Sequence, residues 1–442
     1  MFRDAQTFKT KFTKMKKTLF QNIRVIDSFS NTDAQKDVLI GDTLILGIED
    51  PYSINNLDFT VIKSPDNAIL IPGIIDLRVE SKDPGETHTD NLETLLKSAA
   101  KSGITTLACL PNTDPVVDDT SMVESLSRRA KSLNLSKLMI YGAASIGLDD
   151  KKMSELGLLK NAGVVGFTNG NKPIYNPLLM KRILSYSTML DLPIVQHADI
   201  PELSSETEAT ESEISTRLGL RGVPSITEAM LIERDIHLIK LTKSKYHVSH
   251  ISTKEGVKAI EKAKDNGLNV TCDTSPPYML LNDLSLSNYD TRFKLSPPLR
   301  SEEDRCFIEE SLENGVIDAI SSDHSPQNRD SKLLPFSLSK AGSLGMETLL
   351  SSTISLVKSN RISIKTAIKL LTLGPSKILS LDAGKILKGS PADLTIIDIE
   401  KSWIVKGDDM LSLSSNTCFE GIPMQGKILS CWKDGIEIYQ CN

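Results

Sequence analysis

The sequence predicts an α/β protein: a (β/α)₈ barrel carrying a small, discontinuous β-sandwich-like domain built from both chain ends. Three observations predict it. Between about residues 70 and 360, short apolar runs alternate with longer amphipathic stretches. Eight such runs can be counted, the number at which parallel strands close into a barrel. Both chain ends instead hold short β-like runs broken by Gly, Pro, Asn and Asp. An open, doubly wound sheet is the competing architecture.

The strands are expected at Leu70–Asp76, Thr105–Leu110, Leu138–Tyr141, Val164–Phe167, Pro193–His197, Tyr246–His250, Asn269–Thr274 and Asp318–Ser322. Between them, apolar residues recur at helical spacing in Leu92–Lys101, Ser121–Ser132, Asn176–Leu190, Ile226–Leu241, Lys254–Asn266 and Glu302–Asn314. The terminal runs include Asp37–Leu46, Ala392–Ile399 and Ile428–Tyr439. The expected division is a basic, disordered tail over 1–17, a composite β-domain over 18–69 plus 383–442, and the barrel over 70–382.

Composition narrows the function. Of 442 residues, 39% are hydrophobic and 24% charged, ordinary for a globular chain. A net charge of −6 argues against nucleic acid as a partner, because phosphate binding needs clustered Lys and Arg. The one basic run, Lys9 to Lys17, reads as a solvated tail, and Met15 within it offers a second start. No apolar segment follows it as in a secretory signal, and no stretch reaches the roughly 18 apolar residues of a membrane helix. The six cysteines form no C-x-x-C pair, so neither a disulfide framework nor a thiolate zinc site is expected, and a reducing cytoplasm is the simplest setting. Gly219 and Gly222 match no nucleotide fingerprint, and neither a P-loop nor a Ser or Cys nucleophile motif is present.

Barrel enzymes carry their chemistry at the C-terminal ends of strands. There the sequence places His197, His247, His250, Asp323 and His324. Two imidazoles and a carboxylate suit a divalent metal, or a water with its general base. His88 and His237 fall in a polar loop and on an amphipathic helix and are expected at the surface. After strand one, Arg78, Glu80, Lys82 and Asp83 crowd one loop, which reads either as a site for a charged ligand or as a salt-bridged loop.

Several motifs then agree in order: Pro72–Gly85, Pro111–Pro115, Leu218–Pro224 with Glu228, Arg234 and Asp235, His247–Thr253, Lys294–Arg300, Ser322–Pro326, Gly389–Leu394 and Asn416–Phe419. Together they resemble the class I dihydroorotases of the amidohydrolase superfamily, over roughly residues 20–440. The resemblance implies a cytoplasmic, zinc-dependent hydrolase of pyrimidine biosynthesis. Such an enzyme interconverts carbamoyl-aspartate and dihydroorotate, with metal-assisted attack on a ring amide and an Asp shuttling the proton. Carried over residue by residue, it assigns Asp323 as catalytic. It also assigns Asn112, Lys82 and Ser296 to substrate, and His197 and His250 as residual metal ligands. The other ligand positions fall on Arg78, Glu80 and Asn169, and a further family His falls on Gln327. At most one zinc per chain, or none, is therefore expected.

Arg78 should project into the space a zinc pair would use and pair with Glu80 or Asp323. Asn112 and Lys82 should line one cavity with His197, His250 and Asp323. Three readings stand: a weak or silent pseudoenzyme kept as a structural partner of aspartate carbamoyltransferase, an active dihydroorotase with one zinc, and a related cyclic-ureide hydrolase. A homo-oligomer is expected in each case, without membrane or nucleic-acid partners.

Overall fold

Gly73 is where the chain turns from one layer into the other. The computed structural model describes residues 17–54, 59–63 and 65–441. In it the first apolar run is not one strand. Ala68–Pro72 belongs to an outer sheet and Ile74–Val79 opens the barrel. The division at Gly73 is steric, because a Cβ there would lie 2.1 Å from Thr105 Oγ1, while the Gly73 amide donates to Asp393 O at 2.9 Å.

The remaining barrel strands are Ile104–Cys109, Lys137–Ile140 continued by Gly142–Ala143, Phe167–Thr168, Ile194–Gln196, Tyr246–Val248, Val270–Thr274 and Ala319–Ile320. Each pairs in parallel with the next in chain order. The eighth meets the first through residues just past its own end: Glu80 N donates to His324 O, and Ser322 N to the Asp76 Oδ1 of the first strand, both at 2.9 Å. Ile74–Val79 and Ile104–Cys109 are buried at every position, as expected where helices cover the outer face.

The connecting helices are Leu92–Lys101, Thr120–Leu133, Pro177–Leu190, Ile226–Thr242, Lys254–Asp265 and Glu302–Glu313. All six lie within two residues of the expected bounds, because five start at a side-chain cap. Asn91, Asp119, Asn176, Thr253 and Ser301 accept from backbone amides of the first turn. Further helices were not anticipated, among them Leu349–Lys358, Ile364–Leu371 and Leu373–Ile378.

The outer sheet has eight strands. Its main path runs Ile436–Gln440, Pro423–Lys433, Leu394–Ile404, Ala68–Pro72, Lys17–Asp27, Thr32–Gly41 and Leu44–Glu49, with Thr60–Lys63 also paired to Lys17–Asp27. Lys17 thus opens a strand, one residue inside the expected tail. Residues 1–16, the rest of that tail, lie outside the described residues. The expected runs Asp37–Leu46 and Ile428–Tyr439 each prove to be a hairpin, the second turning at Asp434–Gly435 with φ of 48° and 72°. Phe20, Val38, Leu70, Leu394 and Trp432 share one buried cluster, with Phe20 and Trp432 edge to face at 5.2 Å. Lys137 fastens the sheet to the barrel through Asp393 at 2.8 Å and Asp434 at 2.7 Å. No helix among the described residues is long and apolar enough to cross a membrane.

Candidate active site at the barrel mouth

Strands five, six and eight stop one to three residues before the side chains of interest. His197 directly follows Gln196, His250 lies two residues past Val248, and Asp323 three past Ile320. His250 and Asp323 both take left-handed backbone, with φ of 40° and 50°. Non-glycine residues take it at a cost, and it recurs where surrounding structure fixes a functional side chain. At His250 a hydrogen bond fixes it: the amide donates to Asp273 Oδ1 at 2.5 Å.

The three side chains converge. His197 Nδ1 lies 2.8 Å from His250 Nε2, and His250 Nδ1 lies 3.1 Å from Asp323 Oδ2. Asp323 Oδ1 accepts from Arg78 Nε at 2.8 Å. Of the two acids considered for Arg78, Asp323 is the one it meets. Arg78 is only 1% exposed, and its Nη2 donates to Asn171 Oδ1 at 2.5 Å. Asn171 passes the connection on through Nδ2 to Glu80 Oε1 at 2.5 Å. Glu80 also accepts from Lys82 Nζ at 2.6 Å and Ser325 Oγ at 2.9 Å. Two ion pairs, Arg78–Asp323 and Lys82–Glu80, are therefore joined through one amide.

The electrostatics follow from these contacts. Burial pushes the Asp323 carboxyl up. The charges of His250 and Arg78, with their hydrogen bonds, outweigh it and hold the group well below the usual carboxylate range. Glu80 is likewise held down against burial by Lys82, Asn171 and Ser325. Burial, then the neighbouring His250 and Arg78, drive the His197 imidazole well below its ordinary value. Asp76, below this layer, goes the other way: burial raises its carboxyl to about 6.

The filled centre divides the mouth. Asp323 and Ser296 line a cavity of about 200 Å³ with Glu80 and Asn171. His197 and Ser296 line a second of about 200 Å³ with Lys294 and Arg300. Lys82 and Asn112 line a third with Asn171 and Gln327. Asn112 and Lys82 thus line a different part of the mouth from His197: Glu80 and Asn171 border the first and third cavities, and Leu295 and Ser296 the first and second. Asn169 is buried and turned aside, its Oδ1 accepting from Ser145 N and Oγ at 3.1 Å each. His88 and His237 are exposed, as expected. Among the described residues, no group of three or more His, Cys, Asp or Glu side chains is arranged to hold a metal ion.

Asn171, Asp273 and Arg300 were not named as site residues from sequence. Asp273 could have been suspected as an acid inside the buried strand Val270–Thr274. Asn171 sits in a loop after a two-residue strand, where no periodicity marks it.

The family model described as Dihydro-orotase-like matches residues 67–256. The dihydroorotase of Desulforapulum autotrophicum is 34% identical over 95% of this chain and 98% of its own. That of Wolbachia sp. subsp. Drosophila simulans is 36% identical over 96% of each. Among solved structures, the L-hydantoinase (dihydropyrimidinase) from Arthrobacter aurescens superposes with a TM-score of 0.86 at 23% identity over 96% of each chain. The dihydropyrimidinase from Brevibacillus agri gives 0.81 at 20% identity, over 96% of this chain and 95% of its own. The solved structures share the amidohydrolase-type barrel, and the near-full-length sequence similarity goes further: this chain belongs to the dihydroorotase family of pyrimidine biosynthesis.

Proposed function

We propose that this dihydroorotase-family chain does not run metal-assisted hydrolysis, and serves instead as a structural partner of aspartate carbamoyltransferase. One observation carries the reading: Arg78 is buried with its Nε 2.8 Å from Asp323 Oδ1. A guanidinium keeps its proton, so it puts a fixed positive charge where the family resemblance puts a ligand for two cations. Asn169 at the position of the bridging anion supplies no charge to neutralise a metal pair. The residues present do not fit a binuclear centre.

A single zinc on His197 and His250 fits poorly as well, since the two rings spend Nδ1 and Nε2 on each other and Asp323 is committed to Arg78. Dihydroorotate and carbamoyl-aspartate remain the small molecules the family handles. The test is metal content of the purified chain, followed by assay with dihydroorotate with and without added zinc. Essentially no zinc and no zinc-stimulated turnover is expected. Two zinc ions per chain with rapid hydrolysis would overturn the reading. Co-purification with aspartate carbamoyltransferase tests the partner role, and separate elution at micromolar concentration would sink it.

A further inference from the structure

A cavity of about 220 Å³ lies where two barrel helices meet the outer sheet, and it shares no lining residue with the three mouth cavities. Lys101 borders it from the end of Leu92–Lys101, Leu350 from the start of Leu349–Lys358, and Trp403, Lys427 and Tyr439 from three strands of the sheet. At about 30 Å³ per water the space would take roughly seven waters, or one ligand of one or two rings. Its aromatic wall is fixed in advance. Trp403 Nε1 donates to Ser351 Oγ at 3.0 Å, and Ser351 Oγ donates to Gly426 O at 2.7 Å. Met346 and Met410 line the space beside Trp403 and Tyr439, and a thioether adapts readily to the edge of a ring.

The charges around the cavity are unequally engaged. Glu347 Oε2 is paired with Lys101 Nζ at 2.7 Å, and its Oε1 accepts from the Leu411 amide at 2.7 Å and from Ser98 Oγ at 3.1 Å. Asp409 is exposed and holds Lys101 Nζ through its carbonyl at 3.0 Å. Lys406 and Lys427 also line the space, and neither has an ion-pair partner among the described residues. Lys427 Nζ instead lies 6.0 Å from the centre of the Trp403 ring. Three ammonium groups therefore border the cavity against two carboxylates, one of which is already saturated.

We propose that this cavity binds a small planar aromatic anion, its ring against Trp403 and Tyr439 and its charge at Lys406 and Lys427. A concave, largely apolar wall with a few placed polar groups is the usual form of a small-molecule site. An aliphatic acid would leave the aromatic surface unmatched, and a neutral ring would leave the two ammonium groups without a counter-charge. Because the walls come from both layers, a bound ligand would also join the barrel helices to the sheet. The inference does not depend on the metal content of the mouth.

The chain has two tryptophans, and the other, Trp432, lies in the buried cluster with Phe20. Nitrogen-15 NMR of the two indole N–H groups in the full chain therefore reads this cavity separately, with Trp403→Phe assigning the signals. Titration with 2-naphthoate should shift the Trp403 signal saturably and leave that of Trp432 in place. By the same signal, the neutral 2-naphthamide and the non-aromatic cyclohexanecarboxylate should each bind about fivefold more weakly, the first by the loss of one charge-assisted contact. Lys406→Gln combined with Lys427→Gln should erase the difference between naphthoate and naphthamide, while an unmoved Trp432 signal confirms that the variant is folded. No shift of Trp403 up to millimolar naphthoate would overturn the site, and so would binding that moves both indoles alike. Equal affinities for naphthoate and naphthamide, or a preference that survives the double substitution, would overturn the role of the two lysines and with it the proposal.

Discussion

Arg78 carries one hydrogen bond to a carboxylate and one to an amide, and its Nη1 has no partner among the described residues. Removing one member of a buried ion pair costs more than the pair contributes, because the other charge is left unpaired. Arg78→Met should therefore lower stability by about 3 kcal/mol, read from urea unfolding. A loss below about 0.5 kcal/mol, the usual range for surface substitutions, would show that Asp323 is not dependent on it. Arg78→Lys should not restore the native value, since an ammonium lacks the planar fork that reaches Asp323 and Asn171 together. Two carboxylates also give opposite pH signatures. Asp323 has a lowered folded pKa, so its stabilisation is present above the unfolded value of about 4 and is lost as pH falls below it. Asp76 has a folded value raised to about 6. The native state holds that proton when the unfolded chain has released it, so stability falls as pH rises from about 4 to 6. Asp76→Asn should remove that decline, worth about 3 kcal/mol from the size of the shift, while Asp323→Asn should flatten the acid limb. Unfolding midpoints across pH 3–8 check both; a mid-acid decline unchanged in Asp76→Asn would place its origin elsewhere.

Elements were legible in proportion to how much of them faces water. The six amphipathic helices could be located because each has a polar face, and five also have a side-chain cap to mark the start. Leu349–Lys358 escaped because its polar Ser351, Ser352 and Thr353 are buried together with its apolar residues, so polarity in the sequence does not mark a solvent face. The first strand was misread for a related reason: Ala68–Pro72 and Ile74–Val79 are both buried at every position, so no change of exposure but only Gly73 separates them. That glycine has little freedom. Gly73→Ala should cost about 2 kcal/mol, because Thr105 must move to admit a Cβ. Thermal unfolding measures it, and a shift of under 1 °C would mean that Thr105 rotates away freely. At the site, the strand-end rule found His197, His250 and Asp323, which the fold brings within hydrogen-bonding reach. It could not find Asn171, whose role depends on which loops meet across the mouth and not on local pattern.

At the scale of the molecule, Lys82–Glu80, Asn171, Arg78–Asp323, His250 and His197 tie the ends of strands one, four, five, six and eight to one another. On the metal-free reading proposed above, such a mouth holds its shape without an ion. Chelator should leave the melting temperature unchanged within about 1 °C, whereas a fold built on a structural metal would lose stability outright. The outer sheet carries a different consequence. Ala68–Pro72 is flanked by Lys17–Asp27 on one side and Leu394–Ile404 on the other. During synthesis the first neighbour is already present, but the second leaves the ribosome more than three hundred residues later. At about 5–20 residues per second, that edge waits for roughly 15–60 seconds, while the barrel strand it feeds is already made. An unpaired apolar edge is a template for wrong pairing. The nascent chain is thus exposed to aggregation until its last fifty residues emerge, and its yield should depend on chaperone supply more than that of a barrel whose sheet is completed in order.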